Sequence, residues 1–416
     1  MTEQNPLRNL YVDFNSYFAS VEQQLRPELR GRAIGVLPVL AETTCCIAAS
    51  YQAKAFGVKT GTPVYEARQR CPGIILVEAR PALYVEMHHR LVAAVEDCTH
   101  VERVLSIDEM TCSLSGSEQR RDKALALAAA IKRSIAEKVG EHLRCSIGIA
   151  PNTFLAKTAS NMLKPDGCTV IEAADLPEIL YSLELRALTG IGKAMEARLQ
   201  RHGIRSMRAL CQANAQQLRH AWGSIEGERM HAKLRGEAAP AAPDKGRASL
   251  GHSHVLPPEL RNPQSAESVL HRLLQKAAMR LRSEVLVAGS LSTGIKFIDG
   301  RHWQQRMRFD PTSDTLQLLE AFKRLWTARP ITRTAPLAVS VTLTDLQAQT
   351  QQSRSLWDDH PQTAHDQLNA VIDAVNLRYG KNALYFGGAH QAIDAGAAPM
   401  RIAFQHIPDV ALEGDD

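Results

Sequence analysis

The amino-terminal region contains the sequence Tyr11-Val-Asp-Phe-Asn-Ser-Tyr-Phe-Ala-Ser-Val-Glu-Gln23. The apolar run Asn9–Phe14 predicts a β-strand, and the apolar spacing after it predicts a helix near Ser16–Leu25. Asp13 then lies at the end of an apolar strand, where a carboxylate has no packing role and must be hydrated, paired or bound to a metal ion. Asp13 is therefore a candidate functional residue.

A second acidic motif, Leu105-Ser-Ile-Asp-Glu-Met110, lies well downstream in a hairpin-like segment. Side chains alternate along a strand, so Asp108 and Glu109 can reach one site only at a strand end or a bulge. Together with Asp13 they would make three convergent carboxylates, the ligands that two Mg²⁺ ions need in phosphoryl transfer. Taken singly, each motif also fits a bland alternative, a surface Asp at a strand exit or a charged hairpin tip.

The composition changes most sharply at 237–247, where Ala-Ala and Ala-Pro steps without a large apolar residue predict a linker. After it, the predicted elements follow the order β-α-β-β-α-β, which is typical of a small sandwich domain. Before it, strands with interleaved helices predict an α+β sheet domain, and residues 173–236 predict short helices only. A polar stretch after Leu346 and a helix around Gln362–Tyr379 complete the pattern.

The composition sets outer limits on the function. A chain of 416 residues predicts two to four domains at roughly 100–200 residues each. Eight cysteines without a C-x-x-C pair favour reduced thiols over disulfides or a zinc site. No apolar run approaches the ~20 residues of a membrane span, so we expect a cytoplasmic protein and no membrane partner. The net charge of +5 is the sum of +10 for residues 1–346 and −5 for the tail from Gln347, and charge alone does not identify a binding partner.

Four motifs together resemble the Y-family translesion DNA polymerases in order and spacing: residues 13–22, 53–63, 106–109 and 145–167. The resemblance implies an α+β multidomain fold, a right-hand polymerase with palm, fingers and helical thumb, plus a βαββαβ little finger and a C-terminal extension. It implies these boundaries: palm 1–15 and 81–171, fingers 16–80, thumb 172–236 with a helix-hairpin-helix, linker 237–247, little finger 248–346 and C-terminal tail 347–416.

The same resemblance implies roles for individual residues. Asp13, Asp108 and Glu109 match the catalytic, metal-binding carboxylates of the family, and the carbonyl of Phe14 would complete a site for two Mg²⁺ ions, or Mn²⁺. Phe18 matches the bulky residue that excludes a ribonucleotide 2′-hydroxyl. Judged without the family, a Tyr-Phe pair on a helix is more often part of a core.

Further matches concern the triphosphate of the incoming dNTP. Tyr51 and Lys164 match groups that bind it, although a lysine beside Asp-Gly is otherwise an ordinary solvated side chain. Lys54 replaces a usual Arg and gives up bidentate phosphate geometry while keeping the charge. Ala48 replaces a usual hydroxyl residue, and Asn15 replaces a frequent Asp that is not a metal carboxylate. These departures concern nucleotide affinity and rate more than the type of reaction.

Two regions are predicted to bind DNA. The sequence Leu188-Thr-Gly-Ile-Gly-Lys-Ala-Met195 resembles a helix-hairpin-helix turn, whose backbone N–H groups can meet a phosphate, although an ordinary helix connection also fits. Its DNA-binding candidates are Gly190, Gly192 and Lys193. In the little finger, Arg306 and Arg308 share one strand face that could line a template backbone, or be a solvated sheet face.

The tail contains Ser353–Asp359, in which Leu356 and Trp357 resemble the apolar anchors of sliding-clamp peptides. The match is degraded, because Ser353 stands where glutamine is expected, and a local hydrophobic contact is the alternative. The segment Leu368–Phe386 resembles the extension of polymerase V catalytic subunits more than the simpler polymerase IV type. Mutasome partner proteins are therefore also expected.

The function that the resemblance implies is template-directed extension of a primer with dNTPs, during DNA repair and damage tolerance of the SOS type, at the nucleoid. The alternative is a catalytically weak or inactive accessory protein that binds DNA and a clamp within a mutasome. Accessory members of the family have lost the metal carboxylates, whereas all three are present in this chain. A nucleotidyl cyclase with a similar palm would not need residues 173–346.

Overall fold

The structure, a computed structural model, describes residues 6–238, 247–351, 362–380, 382–400, 402, 407 and 408. The chain divides into two compact units, the first formed by residues 1–241 and 402–407 and the second by 242–401 and 408–416. Most of the predicted linker and the whole clamp-like peptide Ser353–Asp359, with Leu356 and Trp357, lie outside the described residues. Within the described ranges, no helix combines the length and apolar character that crossing a membrane requires.

The strands of the first unit form two sheets. A five-stranded sheet has the order β5-β6-β1-β7-β8, and a small sheet has the order β3-β2-β4. The strand predicted at Asn9–Phe14 is confirmed as β1, and the predicted hairpin is β5-β6. The bounds are β1 Asn9–Phe14, β2 Ile34–Leu37, β3 Ala48–Ala49, β4 Ile75–Glu78, β5 Val101–Ser106, β6 Glu109–Ser113, β7 Cys145–Ala150 and β8 Cys168–Val170.

The helices of the first unit confirm the predicted helix near residues 16–25, and residues 173–236 contain helices but no strand, as predicted. The bounds are α1 Tyr17–Leu25, α2 Tyr51–Lys54, α3 Val64–Arg70, α4 Pro81–Glu96, α5 Arg121–Lys138, α6 Thr153–Met162, α7 Lys193–Arg201, α8 Met207–Gln212, α9 Ala215–Trp222 and α10 Glu226–Leu234.

The core of the first unit is built around β1, which pairs antiparallel with β6 on one side and with β7 on the other. Every residue from Leu10 to Phe14 is buried because the strand lies at the centre of its sheet. Helix α6 packs very closely on β7, where Gly148 is required: a Cβ there would lie 1.9 Å from the Ala156 carbonyl oxygen. This close packing brings the side chains of α6 beside the end of β1.

The second unit confirms the predicted β-α-β-β-α-β order. Its four strands form one antiparallel sheet in the order β11-β10-β12-β9. Apolar residues on one face of the sheet and on the two long helices form a single core cluster. The bounds are β9 Ser249–Val255, α11 Pro263–Ser283, β10 Leu286–Phe297, β11 His302–Thr312, α12 Thr315–Thr327, β12 Pro336–Ala348, α13 Gln362–Tyr379 and α14 His390–Asp394.

Helices α13 and α14 of the C-terminal extension are part of this second unit. Helix α13 is held by two nitrogens of Arg282, which donate to the carboxylate of Asp373 at 2.6 and 2.7 Å. The buried N-cap of α12, Asp314, accepts a hydrogen bond from Asn369 at 2.8 Å and contacts His365 at 2.9 Å. Buried polar contacts between distant residues therefore join the extension to the helical face of the βαββαβ fold.

Candidate active site

The strand pairing brings Asp13 and Glu109 to one place. The two residues lie directly opposite each other in the register of β1 and β6, so their side chains share one face of the sheet. The side chain of Asp13 is only 9% exposed and that of Glu109 is 20% exposed. Two carboxylates with little access to water therefore face each other at the end of the central strand.

Asp108 reaches the same region from a turn. Ile107 and Asp108 form the turn between β5 and β6, and the register shifts between Val104 and Ser106. The backbone N–H of Phe14 donates to the Asp108 carbonyl at 2.9 Å, and the Ser106 hydroxyl donates to the Asp108 carboxylate at 2.7 Å. Asp108 and Glu109 therefore lie at a strand end, where two adjacent carboxylates can reach the same site.

Two lysines balance this acidic cluster. Lys164 Nζ lies 2.6 Å from Asp13 Oδ1, and Lys157 Nζ, on α6, donates to both carboxylate oxygens of Glu109 at 2.8 and 2.7 Å. The turn after Lys164 is fixed by Asn15, whose side-chain oxygen accepts from the Asp166 N–H at 2.7 Å. Asn15 therefore anchors the turn that follows the lysine, although it is not itself among the carboxylates.

The electrostatics of the site follow from burial and from crowded negative charge. Burial raises the pKa of Asp13 to about 6, Glu109 and Asp108 add to the rise, and Lys164 opposes it. Burial also raises the pKa of Asp108, while the hydrogen bond from Ser106 opposes this and the charge of Glu109 adds to it. The carboxylates act on one another electrostatically, as expected for groups that require a shared cation.

The donor set fits a hard divalent cation in its chemistry. Carboxylates and a backbone carbonyl are the oxygen ligands that Mg²⁺ takes, and the register of β1 and β6 with the adjoining turn brings Asp13, Glu109 and Asp108 to the same end of the sheet. Within the described residues, however, no group of three or more Asp, Glu, His or Cys side chains is already arranged to hold one metal ion. In this arrangement, lysines serve as the counter-ions of Asp13 and Glu109.

The predicted triphosphate-binding residues gather beside Asp13. Tyr51 and Lys54 lie on α2, and the Lys54 ammonium lies 4.5 Å from the centre of the Tyr51 ring. Burial lowers the pKa of Lys54 and the charge of Lys164 lowers it further, whereas Asp13 opposes both. Burial raises the pKa of Tyr51, and the charge of Asp13 adds to it. Lys54 therefore lies close enough to Lys164 and Asp13 for both charges to affect its pKa.

Phe18 and the residues of the predicted helix-hairpin-helix were also predicted to be functional. Phe18 is half-buried on α1 and stacks on Tyr84. Gly190 has a φ of +91°, which favours glycine, and Gly192 is the N-cap of α7, which begins at Lys193. These two glycines and the lysine are exposed, as a phosphate contact would require.

Arg306 and Arg308 lie in the second unit, on the sheet face away from its core. They stand opposite Ser292 and Ser290 of β10, so they share one face as the sequence predicted. Arg306 donates to Ser290 at 2.9 Å and to Asp345 at 2.8 Å. Arg308 Nε also lies 3.9 Å from the Asp345 carboxylate, so one acidic neighbour contacts both predicted DNA-binding arginines.

Sequence reasoning missed two residues of the site. Lys157 lies inside the matched segment 145–167 but received no role, because its partner Glu109 is distant in sequence. Tyr11 lies two residues before Asp13, so strand alternation places it on the same face. Its hydroxyl is buried and finds no hydrogen-bond partner among the described residues, and Lys157 Nζ lies 5.4 Å from its ring centre. Burial raises the pKa of Tyr11 well above its usual range, and the charge of Glu109 adds to the rise.

The chain is similar to known proteins along most of its length. Residues 12–161 match the model of the impB/mucB/samB family, and residues 247–356 match the model of the C-terminal domain of that family. DNA polymerase IV of Moorella thermoacetica is 34% identical over 384 residues, which cover 90% of this chain and 94% of the relative. DNA polymerase IV of Halorhodospira halophila is 33% identical over 291 residues, 70% of this chain and 81% of the relative. Both relatives are named DNA polymerase IV, whereas the tail segment Leu368–Phe386 resembles polymerase V catalytic subunits more.

Solved structures share the fold. A Y-family DNA polymerase chimera of Dbh and Dpo4 aligns with a TM-score of 0.68 at 24% identity, covering 81% of this chain and 98% of that one. DinB from Sulfolobus solfataricus aligns with a TM-score of 0.54 over the same shares at the same identity. Together with the family models and the polymerase IV relatives, this places the chain in the impB/mucB/samB family, the Y-family translesion DNA polymerases.

Proposed function

We propose that this chain is a template-directed DNA polymerase that adds dNTPs to a primer 3′ end during translesion synthesis, with Asp13, Asp108 and Glu109 as its catalytic carboxylates. One observation carries the proposal: two carboxylates face each other across paired strands and a third comes from the adjoining turn. The basic side chains of Lys164 and Lys54 gather beside them. An acidic centre next to a basic cluster suits a reaction at a triphosphate.

Polymerases of this family generally depend on divalent metal ions. In this chain, Asp13, Asp108, Glu109 and the carbonyl of Phe14 would hold two Mg²⁺ ions, or Mn²⁺ in their place. Such ions, when bound, stabilise the negative charge that develops on the attacking and leaving oxygens. The 3′-hydroxyl of the primer would attack the α-phosphate of the dNTP, the bond to pyrophosphate would break as the new P–O bond forms, and the hydroxyl proton would pass to solvent, because no side chain is proposed as the general base.

The residues around this centre have separate tasks. Lys157 holds the Glu109 carboxylate through both oxygens. Lys164, which pairs with Asp13 in this structure, would transfer to the triphosphate together with Lys54 and Tyr51. Because Lys54 presents a point charge instead of a bidentate guanidinium, we expect weaker nucleotide binding than an arginine would give.

Two further surfaces would bind primer-template DNA. The backbone N–H groups around Gly190, Gly192 and Lys193 would contact a duplex phosphate, and Arg306 and Arg308 would line the template backbone without reading bases. The corresponding domains are palm 1–15 and 81–171, fingers 16–80, thumb 172–236 and little finger 248–346. Weak dependence on sequence and strong dependence on salt are expected of such contacts.

The tail would connect the enzyme to partner proteins at the nucleoid. Ser353–Asp359 is the proposed sliding-clamp peptide, with Leu356 and Trp357 as anchors, and mutasome proteins are further candidate partners. The proposal is supported by the position of this peptide in the chain, between strand β12 and helix α13. A clamp-binding titration of the full chain against a Leu356→Ala, Trp357→Ala double variant tests it: binding of both with equal affinity contradicts it.

Primer extension with purified full-length protein, Mg²⁺ and dNTPs, on intact and lesion-bearing templates, tests the enzymatic proposal. The wild type should add the nucleotide that the template specifies, and Asp108→Ala should abolish the addition. Asp97→Ala is a matched control, because it removes an exposed carboxylate that pairs with Lys138 outside the site. If wild type and Asp108→Ala both bind primer-template and neither extends it, the chain is an accessory DNA-binding protein instead.

A further inference from the structure

The ring of Phe18 lies against a second aromatic ring. The centres of the Phe18 and Tyr84 rings are 4.6 Å apart and their planes differ by 18°, which is a stacked arrangement. Phe18 is half-buried, whereas Tyr84 is only 1% exposed. One side of the partly accessible ring therefore rests on a ring that belongs to the core.

Tyr84 is fixed at both ends. Its hydroxyl donates to Glu22 Oε1 at 2.8 Å, and its backbone carbonyl accepts from the Tyr17 hydroxyl at 2.6 Å. The Glu22 side chain is completely buried, and its carboxylate also accepts hydrogen bonds from two nitrogens of Arg80 at 3.0 and 2.7 Å. A buried carboxylate needs these donors, so the Tyr84 ring cannot be displaced sideways without breaking a hydrogen bond to a buried charge.

The spacing of these residues makes the arrangement a two-level clamp between α1 and α4. Phe18 and Glu22 are four residues apart on α1, so they lie on one face of that helix. Arg80, the N-cap of α4, and Tyr84 are also four residues apart. The aromatic stack forms one level, and the ion pair with its tyrosine hydrogen bond forms the other.

We propose that Tyr84 is a positioning residue that holds the Phe18 ring in place and thereby sets the discrimination between deoxyribonucleotides and ribonucleotides. The inference rests on the proposed contact of Phe18 with the sugar 2′ position. A ring backed by a fixed ring cannot tilt away from a larger sugar, whereas an unsupported ring can. Tyr84 itself touches no substrate in this account and acts only through Phe18.

The test compares kcat/KM for a dNTP and the matching rNTP in single-nucleotide incorporation by full-length protein. The same discrimination is measured as the Kd of each nucleotide on a dideoxy-terminated primer, which requires no chemistry. The variants are Phe18→Ala, Tyr84→Leu, Tyr84→Met and Tyr84→Phe, and the control is Leu91→Ala. Leu91 lies two turns further along α4, is fully buried and belongs to the same core cluster as Tyr84.

Phe18→Ala should raise relative rNTP use by about 10–100-fold, and Tyr84→Leu and Tyr84→Met should raise it about tenfold, a typical range for a changed steric contact. Tyr84→Phe keeps the ring but loses the hydrogen bond that holds it, so it should raise relative rNTP use by about threefold, less than Tyr84→Leu or Tyr84→Met. Combining Phe18→Ala with Tyr84→Leu should add nothing to Phe18→Ala alone, since both act on one contact. Leu91→Ala should leave the ratio unchanged.

Three results would overturn the inference: an unchanged ratio in both Tyr84→Leu and Tyr84→Met, an equal rise in Leu91→Ala, or full additivity in the double variant. Tyr84→Leu and Tyr84→Met replace the flat ring by flexible side chains, so the second reports the same loss if the first fails to fold. An unchanged ratio in Phe18→Ala is a different failure: it refutes the proposed sugar contact of Phe18 itself.

Discussion

Replacing Asp13 by Asn should stabilise the protein at neutral pH while removing its activity. The pKa of Asp13 lies at about 6 instead of the ordinary 3.8, because burial disfavours the charged carboxylate and Glu109 and Asp108 add negative charge. The folded chain therefore binds this proton more tightly than the unfolded chain. The contribution of this carboxyl group to stability is therefore fully present below pH ~4 and is lost as the pH rises through 6, where the folded group ionises.

The magnitude follows from the two pKa values. One pKa unit corresponds to roughly 1.4 kcal/mol, so the ionised Asp13 costs about 3 kcal/mol of unfolding free energy above pH 7. An amide resembles the neutral acid and does not ionise. Asp13→Asn should thus match the wild type near pH 4 and exceed its unfolding free energy by about 3 kcal/mol near pH 7.5.

Urea unfolding followed by circular dichroism, in EDTA and between pH 4 and 8, measures this difference. Asp97→Asn is the control, because its side chain is 51% exposed, and it should show no such pH-dependent gain. Adding Mg²⁺ should shrink the advantage of Asp13→Asn, since a bound cation offsets the carboxylate charge in the wild type. A difference that does not change with pH, or an Asp13→Asn variant that is less stable at pH 7.5, would refute the reasoning.

Three further predictions concern the surroundings of the site. Lys157→Met should lower the free energy of urea unfolding by about 2–3 kcal/mol and lower kcat, because a partly buried Glu109 loses its counter-ion. Lys157→Arg should keep part of the stability and of kcat. Unchanged stability in Lys157→Met would contradict the pairing. Lys54→Arg, alone or with Ala48→Ser, should lower the steady-state KM for dNTP by about tenfold through an added charged hydrogen bond, whereas an unchanged KM would place residue 54 away from the triphosphate. Asp345→Asn should free Arg306 and tighten primer-template binding about threefold in a low-salt anisotropy titration; weaker binding would show that Asp345 orients the arginine productively.

Local sequence patterns predicted much of the fold. The strand Asn9–Phe14 and the helix near Ser16–Leu25 appear close to their predicted bounds because their apolar spacing matches strand and helix periods. The small sheet β3-β2-β4 was not predicted. Its strand β3 has two residues and β2 pairs in parallel with β4, about forty residues away, so no local pattern encodes the sheet.

In the candidate site, too, local sequence patterns predicted some features, and tertiary packing set the others. The alternation of side chains along a strand predicted that Asp108 and Glu109 can share one site only at a strand end or a bulge. The structure has a turn after Ser106 at this point. Alternation could also have identified Tyr11, two residues from Asp13. The pair of Lys157 with Glu109 could not be read from sequence, because it depends on how closely α6 packs on β7. The contact of the C-terminal extension through Arg282 and Asp373 is likewise set by tertiary packing.

The most direct test of the central claim is a single-turnover insertion rate, measured in Mg²⁺ on pre-bound primer-template with saturating dNTP. The variants are Asp13→Asn, Asp108→Asn and Glu109→Gln, with the exposed Glu102→Gln as control. Removal of a transition-state charge contact should slow each site variant by at least about 10³-fold with DNA affinity retained, whereas the control stays at the wild-type rate. Insertion within tenfold of the wild-type rate in any of the three site variants would contradict the assignment of these carboxylates as the catalytic centre.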